Sequence, residues 1–315
     1  MTEINRPIVI GTRDSALALW QTHWVLEQLQ ARFPEQRFEI KAIKTKGDKI
    51  LDVALAKIGD KGLFTKELEV AMLEGEVDMA VHSLKDLPTQ LPEGLTVGAM
   101  CIREDYRDVL IGRTARTLAE LKPGARVGTA SLRRKSQIWK VRPDLELLDI
   151  RGNLQTRMRK MEEQDLDGII LAAAGVLRLG WADKITQYID EDVCLPAVGQ
   201  GSVGIEIRDG DEAIARVVGA LNHKDTADCI TAERALMRTL EGGCQVPIGA
   251  LGKLGEDDSL TLHGVVASLD GREICRDQVT GHRSEAADLG HRLADILIAK
   301  GAAEILKAVR QESCN

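Results

Sequence analysis

Short apolar runs along the chain alternate with stretches whose apolar residues recur every three or four positions. IVIGT (8–12) reads as a strand. The next stretch places Leu17, Trp20 and Trp24 on one helical face, with Asp14 or Ser15 as N-cap. FEIKAI (38–43) alternates like a strand. GLFTKELEVAMLEGE gives a helix with Leu68, Ala71 and Met72 inward and Gly75 as its stop, and VDMAVHS (77–83) is again a strand. This βαβα order predicts a parallel sheet flanked by helices.

The pattern restarts near residue 108. ARVGTA (125–130), LELLDI (145–150) and GIILAAAG (168–175) are strand-like, and SLRRKSQIWKV and NLQTRMRKMEEQ are helical. VIGT-RDS-ALAL beside VGTA-SLRR-KSQI suggests two similar α/β domains. Beyond about 222 the texture changes. One helix carries Cys229, Ala232, Leu236 and Leu240 on a stripe and ends at Gly242-Gly243. Alternating strands follow, joined by a hairpin turn at Asp270-Gly271. A last helix runs through EAADLGHRLADILIAK, completing a small α+β domain.

Composition narrows the class. The chain has 315 residues, 44% apolar and 29% charged, as in ordinary globular proteins. The N-terminus has no basic segment followed by an apolar run, and no apolar stretch approaches the ~20 residues of a membrane span. A cytoplasmic protein is expected. The six cysteines form no CxxC pair, so most are expected to be small buried hydrophobes. The six histidines contain no HExxH, so no metal site is expected.

Charge changes the picture more. The chain carries 42 basic and 49 acidic residues, net −7, which argues against nucleic acid as the main partner. Yet ASLRRKSQIWKVRPDLELLDIRGNLQTRMRK (130–160) gathers Arg133, Arg134, Lys135, Lys140, Arg142, Arg151, Arg157, Arg159 and Lys160. Two solvated helix faces would account for the charge but not for its placement. Arg13 and Ser15 follow the first strand; Ser83, Lys85 and Asp86 follow VDMAVH. Thr129, Ser131, Arg133 and Arg134 follow ARVG; Arg151, and Arg157 one turn on, follow LELLDI; Arg178 follows GIILAAAG. The carboxyl ends of strands in open α/β sheets are where ligands bind, and helix N-termini there favour anions. Arginine adds a fork that matches a carboxylate. A cleft between the two α/β domains, lined for a polyanion, is expected.

Local motifs leave alternatives open. VGQGSVG (198–204) matches GxGxxG but leads into the strand-like GIEIR, so a dinucleotide fingerprint is rejected. Asp86, between Lys85 and Pro88, is either a turn former or a carboxylate that stabilises developing positive charge. Cys244, after a double-glycine helix stop, is either structural or a reactive thiol. KIGDKGLFTKEL (57–68) is either a surface turn or a glycine-hinged loop able to close over a cleft.

Six motifs in order, GTRDSALAL, AVHSLKDLPT, GTASLRRKSQ, DIRGNLQTR, LPAVGQGSVGIEIR and GGCQVPIGA, closely resemble the porphobilinogen deaminase family over essentially the whole chain. Tyr106, where proline is expected, and Ser202, where alanine is more usual, are mild departures. The resemblance implies an α/β fold with two periplasmic-binding-protein-like lobes, 1–101 with 200–219 and 106–196. A C-terminal α+β domain, 222–315, would carry the cofactor cysteine. It further implies a cytoplasmic, monomeric transferase that condenses four porphobilinogen molecules head to tail, with water releasing the linear tetrapyrrole. Neither nucleic acid nor membrane would be a partner.

By the same resemblance, Cys244 holds a dipyrromethane cofactor through a thioether, and Asp86 is the main catalytic group, stabilising an azafulvene-like cation as ammonia leaves. Arg13, Ser15, Ser83, Lys85, Thr129, Ser131, Arg133, Arg134, Arg151, Gly152, Arg157, Arg178 and Gln200 would bind cofactor and substrate. Lys61 and Phe64 belong to the mobile loop. The rival expectations are a non-catalytic two-lobed binder of an organic polyanion and a nucleic-acid-binding regulator.

Overall fold

A computed structural model of the chain describes residues 4–45, 65–240 and 246–313. Within these, the chain forms two compact bodies. One comprises 4–45, 65–104 and 201–227; the other comprises 105–200, 228–240 and 246–313.

The first body is built on a five-stranded sheet. Its strands are β1 (Ile8–Thr12), β2 (Phe38–Ala42), β3 (Met79–Ser83), β4 (Leu95–Met100) and β10 (Val203–Arg208), in the order β2-β1-β3-β10-β4. β2, β1 and β3 are parallel, while β10 runs antiparallel between β3 and β4. Helix α1 (Ala16–Arg32) and α6 (Glu212–Gly219) pack on one face, where Ile8, Ile10, Val25, Leu29, Val81, Ile205 and Val218 form the core. Helix α2 (Lys66–Leu73) lies on the other face with Leu68, Ala71, Met72, Val77 and Ala80. Asp78, just ahead of β3, accepts from Arg6 at 2.6 Å, Val9 N at 2.9 Å and Arg208 Nη2 at 3.0 Å. That network joins β1, β3 and the late-arriving β10, and it holds the Asp78 carboxyl below its ordinary range against the cost of burial.

The face that α1 buries differs from the expected one. Ala18, Gln21, Thr22, Val25 and Leu29 are inward, and Trp20 is exposed. Small residues win because Ala18 and Thr22 let the helix approach the sheet. Thr12 Oγ1 donates to Ala18 O at 3.3 Å, and Thr22 Oγ1 to the same oxygen at 2.9 Å.

The second body repeats this plan. Its strands are β5 (Asp108–Gly112), β6 (Arg126–Gly128), β7 (Glu146–Leu148), β8 (Gly168–Ala172) and β9 (Gln187–Ile189), in the order β7-β6-β8-β5-β9. Again three parallel strands are followed by an antiparallel one, here β5. Helices α3 (Leu132–Val141), α4 (Leu154–Glu163) and α5 (Ala173–Arg178) follow β6, β7 and β8. The sequence reading extended the third strand through Gly175; helix α5 takes over at Ala173 instead.

The same body contains an antiparallel sheet of β11 (Ile248–Leu254), β12 (Ser259–Ala267) and β13 (Ile274–His282). It packs with α7 (Lys224–Thr239), α8 (Ala286–Ala299) and α9 (Ala302–Ser313). The Cys229–Ala232–Leu236–Leu240 stripe is buried in that core, as expected. Helix α9 was not expected, although Ile305, Leu306 and Val309, all buried, give it a helical period. The β12–β13 connection spans 268–273 rather than a two-residue turn. At its tip Gly271 has φ +70°, and an added Cβ would lie 2.3 Å from Ser136 O on α3, so only glycine fits. The fold is therefore mixed α/β, with two lobes of one topology and a small C-terminal sheet-and-helix domain.

Candidate functional site

Adjacent parallel strands end at the same edge of a sheet. In the first body β1 and β3 are such neighbours, so Arg13 and Ser15 share an edge with Ser83, Lys85 and Asp86. Ser15 is the N-cap of α1, its Oγ accepting from Ala18 N at 3.3 Å. Gln21, one turn into α1, donates Nε2 to Ser83 Oγ at 3.0 Å and so pins the end of β3. The chain then makes a 3₁₀ turn over Leu84–Asp86, closed by Leu87 N to Leu84 O at 3.2 Å. Lys85 and Asp86 are half-buried on that turn, and buried Leu84 anchors it.

In the second body β7, β6 and β8 present a corresponding edge. Ser131 caps α3, accepting from Arg134 N at 3.4 Å, and Asn153 caps α4, accepting from Thr156 N at 2.9 Å. Gly152 has φ +113°, and a Cβ there would meet Thr156 Cγ2 at 2.6 Å. Glycine is what lets the chain leave β7 and enter α4 so abruptly. Arg157 Nε donates to Gly152 O at 2.8 Å, fixing its stem at the helix opening. Arg151 is half-exposed, yet its Nη1 is buried without a hydrogen-bond partner among the described residues. A buried cationic donor left this way costs free energy unless an anion meets it. Arg178 lies in the last turn of α5, not at a helix start.

Arg133, Arg134, Gln200 and Thr129 are all buried. The first three converge on Asp108, a residue the sequence reading missed. Asp108 has no exposed surface. Arg133 Nη1 donates to its Oδ2 at 2.7 Å, and Arg134 Nε and Nη2 to its Oδ1 at 3.0 and 2.8 Å. Gln200 Nε2 adds a bond at 2.9 Å and Cys194 Sγ a weak one at 3.4 Å. Burial alone would raise the carboxyl pKa; the two guanidiniums reverse this and hold it far below the carboxylate range. Burial, with the charge of Asp108, pushes the Cys194 thiol up to about 12, so it stays a neutral donor. Thr129 Oγ1 accepts from Ser131 N at 3.3 Å and shapes the turn into α3.

Other cations of the basic stretch also have structural work. Arg142 donates to Leu118 O, to Leu121 O at 2.8 Å and to Asp144 at 2.6 Å. Lys135 pairs with Asp149 at 2.6 Å, and exposed Arg159 pairs with Glu163 at 3.2 Å along α4. Cys244, Lys61 and Phe64 lie outside the described residues. The two departures from the family pattern are accommodated. Tyr106 OH donates to Glu191 at 2.9 Å, and buried Ser202 Oγ to Cys101 O at 2.7 Å.

The fold is that of an α/β protein whose strand ends carry arginines and capped helix N-termini, groups that suit an anion. The family models agree and go further. "Porphobilinogen deaminase, dipyromethane cofactor binding domain" matches residues 8–216, and "Porphobilinogen deaminase, C-terminal domain" matches 227–299. The chain belongs to the porphobilinogen deaminase family. Relatives named porphobilinogen deaminase include those of Carboxydothermus hydrogenoformans (56% identity, 98% of this chain, 99% of that protein) and Pelotomaculum thermopropionicum (54%, 98% and 99%). A fainter likeness links it to the methionine-binding protein MetQ, at 12% identity and TM-score 0.45 over 70% of this chain and 92% of that one. The chain is thus an enzyme of tetrapyrrole biosynthesis that polymerises porphobilinogen and takes a dipyrromethane cofactor. Membership in an enzyme family sets aside the non-catalytic binder.

Proposed function

We propose that the chain deaminates and condenses four porphobilinogen molecules head to tail on a dipyrromethane primer attached to Cys244, releasing hydroxymethylbilane, with Asp86 as the catalytic carboxylate. The observation that carries this reading is the buried, unpartnered Nη1 of Arg151 at the carboxyl edge of β7. Every porphobilinogen unit bears an acetate and a propionate, so cofactor, substrate and growing chain all offer the carboxylate that this donor requires.

When bound, dipyrromethane supplies the pyrrole carbon to which the next unit is joined. Asp86 accepts hydrogen bonds from the substrate pyrrole N–H and stabilises the positive charge that develops as ammonia departs. A carboxylate in a half-buried setting does this better than water, because its orientation is fixed beforehand. Arg13, Ser15, Ser83 and Lys85 at one edge, and Ser131, Arg151, Gly152 and Arg157 at the other, hold the acetate and propionate groups. Arg178 serves the growing end, and Lys61 and Phe64 act on the reacting groups. Arg133, Arg134, Thr129 and Gln200 act from behind, by fixing the frame. In this reading the lobes are 1–101 with 200–219 and 106–196, the cofactor cysteine lies in 222–315, and the enzyme is a cytoplasmic monomer without nucleic-acid or membrane partners. The acidic net charge supports this. Among the described residues no helix is long and apolar enough to cross a membrane.

Intact-protein mass spectrometry tests the anchor. Wild type carries the added mass of two linked pyrroles, and Cys244→Ser does not. A mutant that keeps the mass moves the anchor elsewhere; a wild type still unmodified after incubation with porphobilinogen overturns the primer. Arginine roles separate in steady-state rates with cofactor loading verified. Arg151→Leu lowers kcat/KM by roughly 30-fold or more, since it removes a buried charged donor. Arg159→Leu stays within about twofold, because its ion pair is exposed. Equal rates for the two would remove Arg151 from the site.

A further inference from the structure

The face of the first sheet that meets α2 carries titratable side chains that the proposed chemistry does not use. The β3–β10 register pairs His82 with Gly204 and Ala80 with Glu206. Strand alternation puts these residues on one face, making His82 and Glu206 diagonal neighbours, with Ser83 and Val203 on the opposite face. Gly204 leaves the space beside them to Leu84, whose Cδ1 would lie 2.6 Å from an added Cβ. Glu69 approaches from α2. All three polar residues are more than nine-tenths buried. His82 Nε2 lies 3.1 Å from Glu206 Oε2. Neither of these atoms, nor Glu206 Oε1, nor Glu69 Oε1, makes a well-aligned hydrogen bond among the described residues. Keeping such an array out of water is costly, and this one sits directly behind the turn that carries Lys85 and Asp86.

We propose that Glu69, His82 and Glu206 are positioning residues for the reaction, a buried polar knot that sets where the end of β3, and with it Asp86, is held. The inference rests on the reading of Asp86 as the catalytic carboxylate. His82 Nε2 and Glu206 Oε2 face one another across that short separation. Burial, and then the charge of Glu206, raise the pKa of Glu69, against the opposing influence of nearby Thr65, His82 and Lys66. These are the titratable and charged groups that face it from β10, β3 and its own helix; β1, which α2 also contacts, contributes none.

A protonated Glu69 adds no charge beside Glu206. Once Glu69 ionises, it brings a negative charge into a place without water and close to Glu206, and the knot loosens. The sign follows from linkage. The unfolded chain loses this proton near the ordinary glutamate value of about 4.3, while the folded chain keeps it longer. Stability and turn placement therefore weaken as pH rises from that value through the raised one. Glu69→Gln keeps the shape and cannot ionise.

The test measures kcat, KM and Tm of fully cofactor-loaded wild type, Glu69→Gln, Glu206→Gln and Asp86→Asn from about pH 4 to about pH 9. Glu206→Gln is expected to lower kcat about tenfold or more with KM within about twofold, as misplacement of a catalytic group does. Glu69→Gln is expected to flatten the part of the fall of kcat with rising pH that ionisation of Glu69 causes. Profiles of both variants that superimpose on wild type, while Asp86→Asn is inactive, overturn the knot alone. Asp86→Asn with wild-type kcat overturns the underlying reading and the knot with it. If Glu206→Gln does not fold, the Glu69→Gln profile decides.

Discussion

Asp86→Asn lowers kcat for porphobilinogen consumption by about 10²- to 10³-fold, the loss seen when one preorganised charge-stabilising group is removed. The replacement keeps the size of the side chain and its place on the Leu84–Asp86 turn, so the loss reports the missing negative charge. Leu84 and the Gln21–Ser83 bond hold the turn independently of that charge. Binding suffers less in the proposed reading, because the cationic groups at the strand ends remain. The measurement is steady-state rate with cofactor loading confirmed by intact mass. A loss below about fivefold would move the catalytic role away from Asp86.

Asp108→Asn destabilises the chain by about 3–5 kcal/mol, the usual cost of leaving buried charge without its partner. Two guanidiniums, Arg133 and Arg134, would face a neutral amide in a place with almost no solvent. Thermal unfolding near neutral pH should show a fall in Tm on the order of 10 °C. The pH dependence has a definite sign. The folded-state pKa of Asp108 is depressed, so its contribution is fully present above the unfolded aspartate value of about 3.9. It disappears only as pH drops through the lower folded value. The gap between wild type and variant should therefore persist down to about pH 4 and close below it. A difference under about 1 kcal/mol at neutral pH would show that the arginines find other partners. Activity falls as well, because Arg134 opens α3 beside Ser131 and its side chain fixes that helix against β5.

The places of the candidate groups at strand ends were largely legible, since each follows from local pattern. A strand ends and a helix begins, and Ser15, one of the two expected caps, does cap α1. Rejection of the glycine pattern at 199–204 was legible too, because GIEIR alternates and becomes β10. The inward or outward role of each arginine was not. Arg133 and Arg134 sit among cations at a strand end and read like ligand binders. Their partner, Asp108, is 25 and 26 residues upstream and opens a strand antiparallel to β8. Nothing in REDYRD marks it for burial. Glu69 was equally unreadable: on α2 it looks like a solvated charge beside Leu68, and only the arrival of β10 from residue 203 onward gives it Glu206 as a neighbour. Trp20 of α1 misled in the opposite direction, since bulk suggested burial while Ala18 and Thr22 made the closer contact, whereas Trp24 does pack against the core.

By itself, then, the sequence determined the alternation of strands and helices, the caps and glycines at their ends, and six motifs distinctive enough to point to the family. These are decided within a few residues, by backbone geometry and side-chain periodicity. Tertiary structure alone decided which charges are buried, which strands interrupt the parallel order, and where the Gly271 tip docks on α3. A buried charge is tolerated only beside a compensating partner, and that partner is supplied by whichever distant segment the topology brings near. Asp108, the partner of the arginines, is assigned by the sheet order and not by any pattern in its own surroundings.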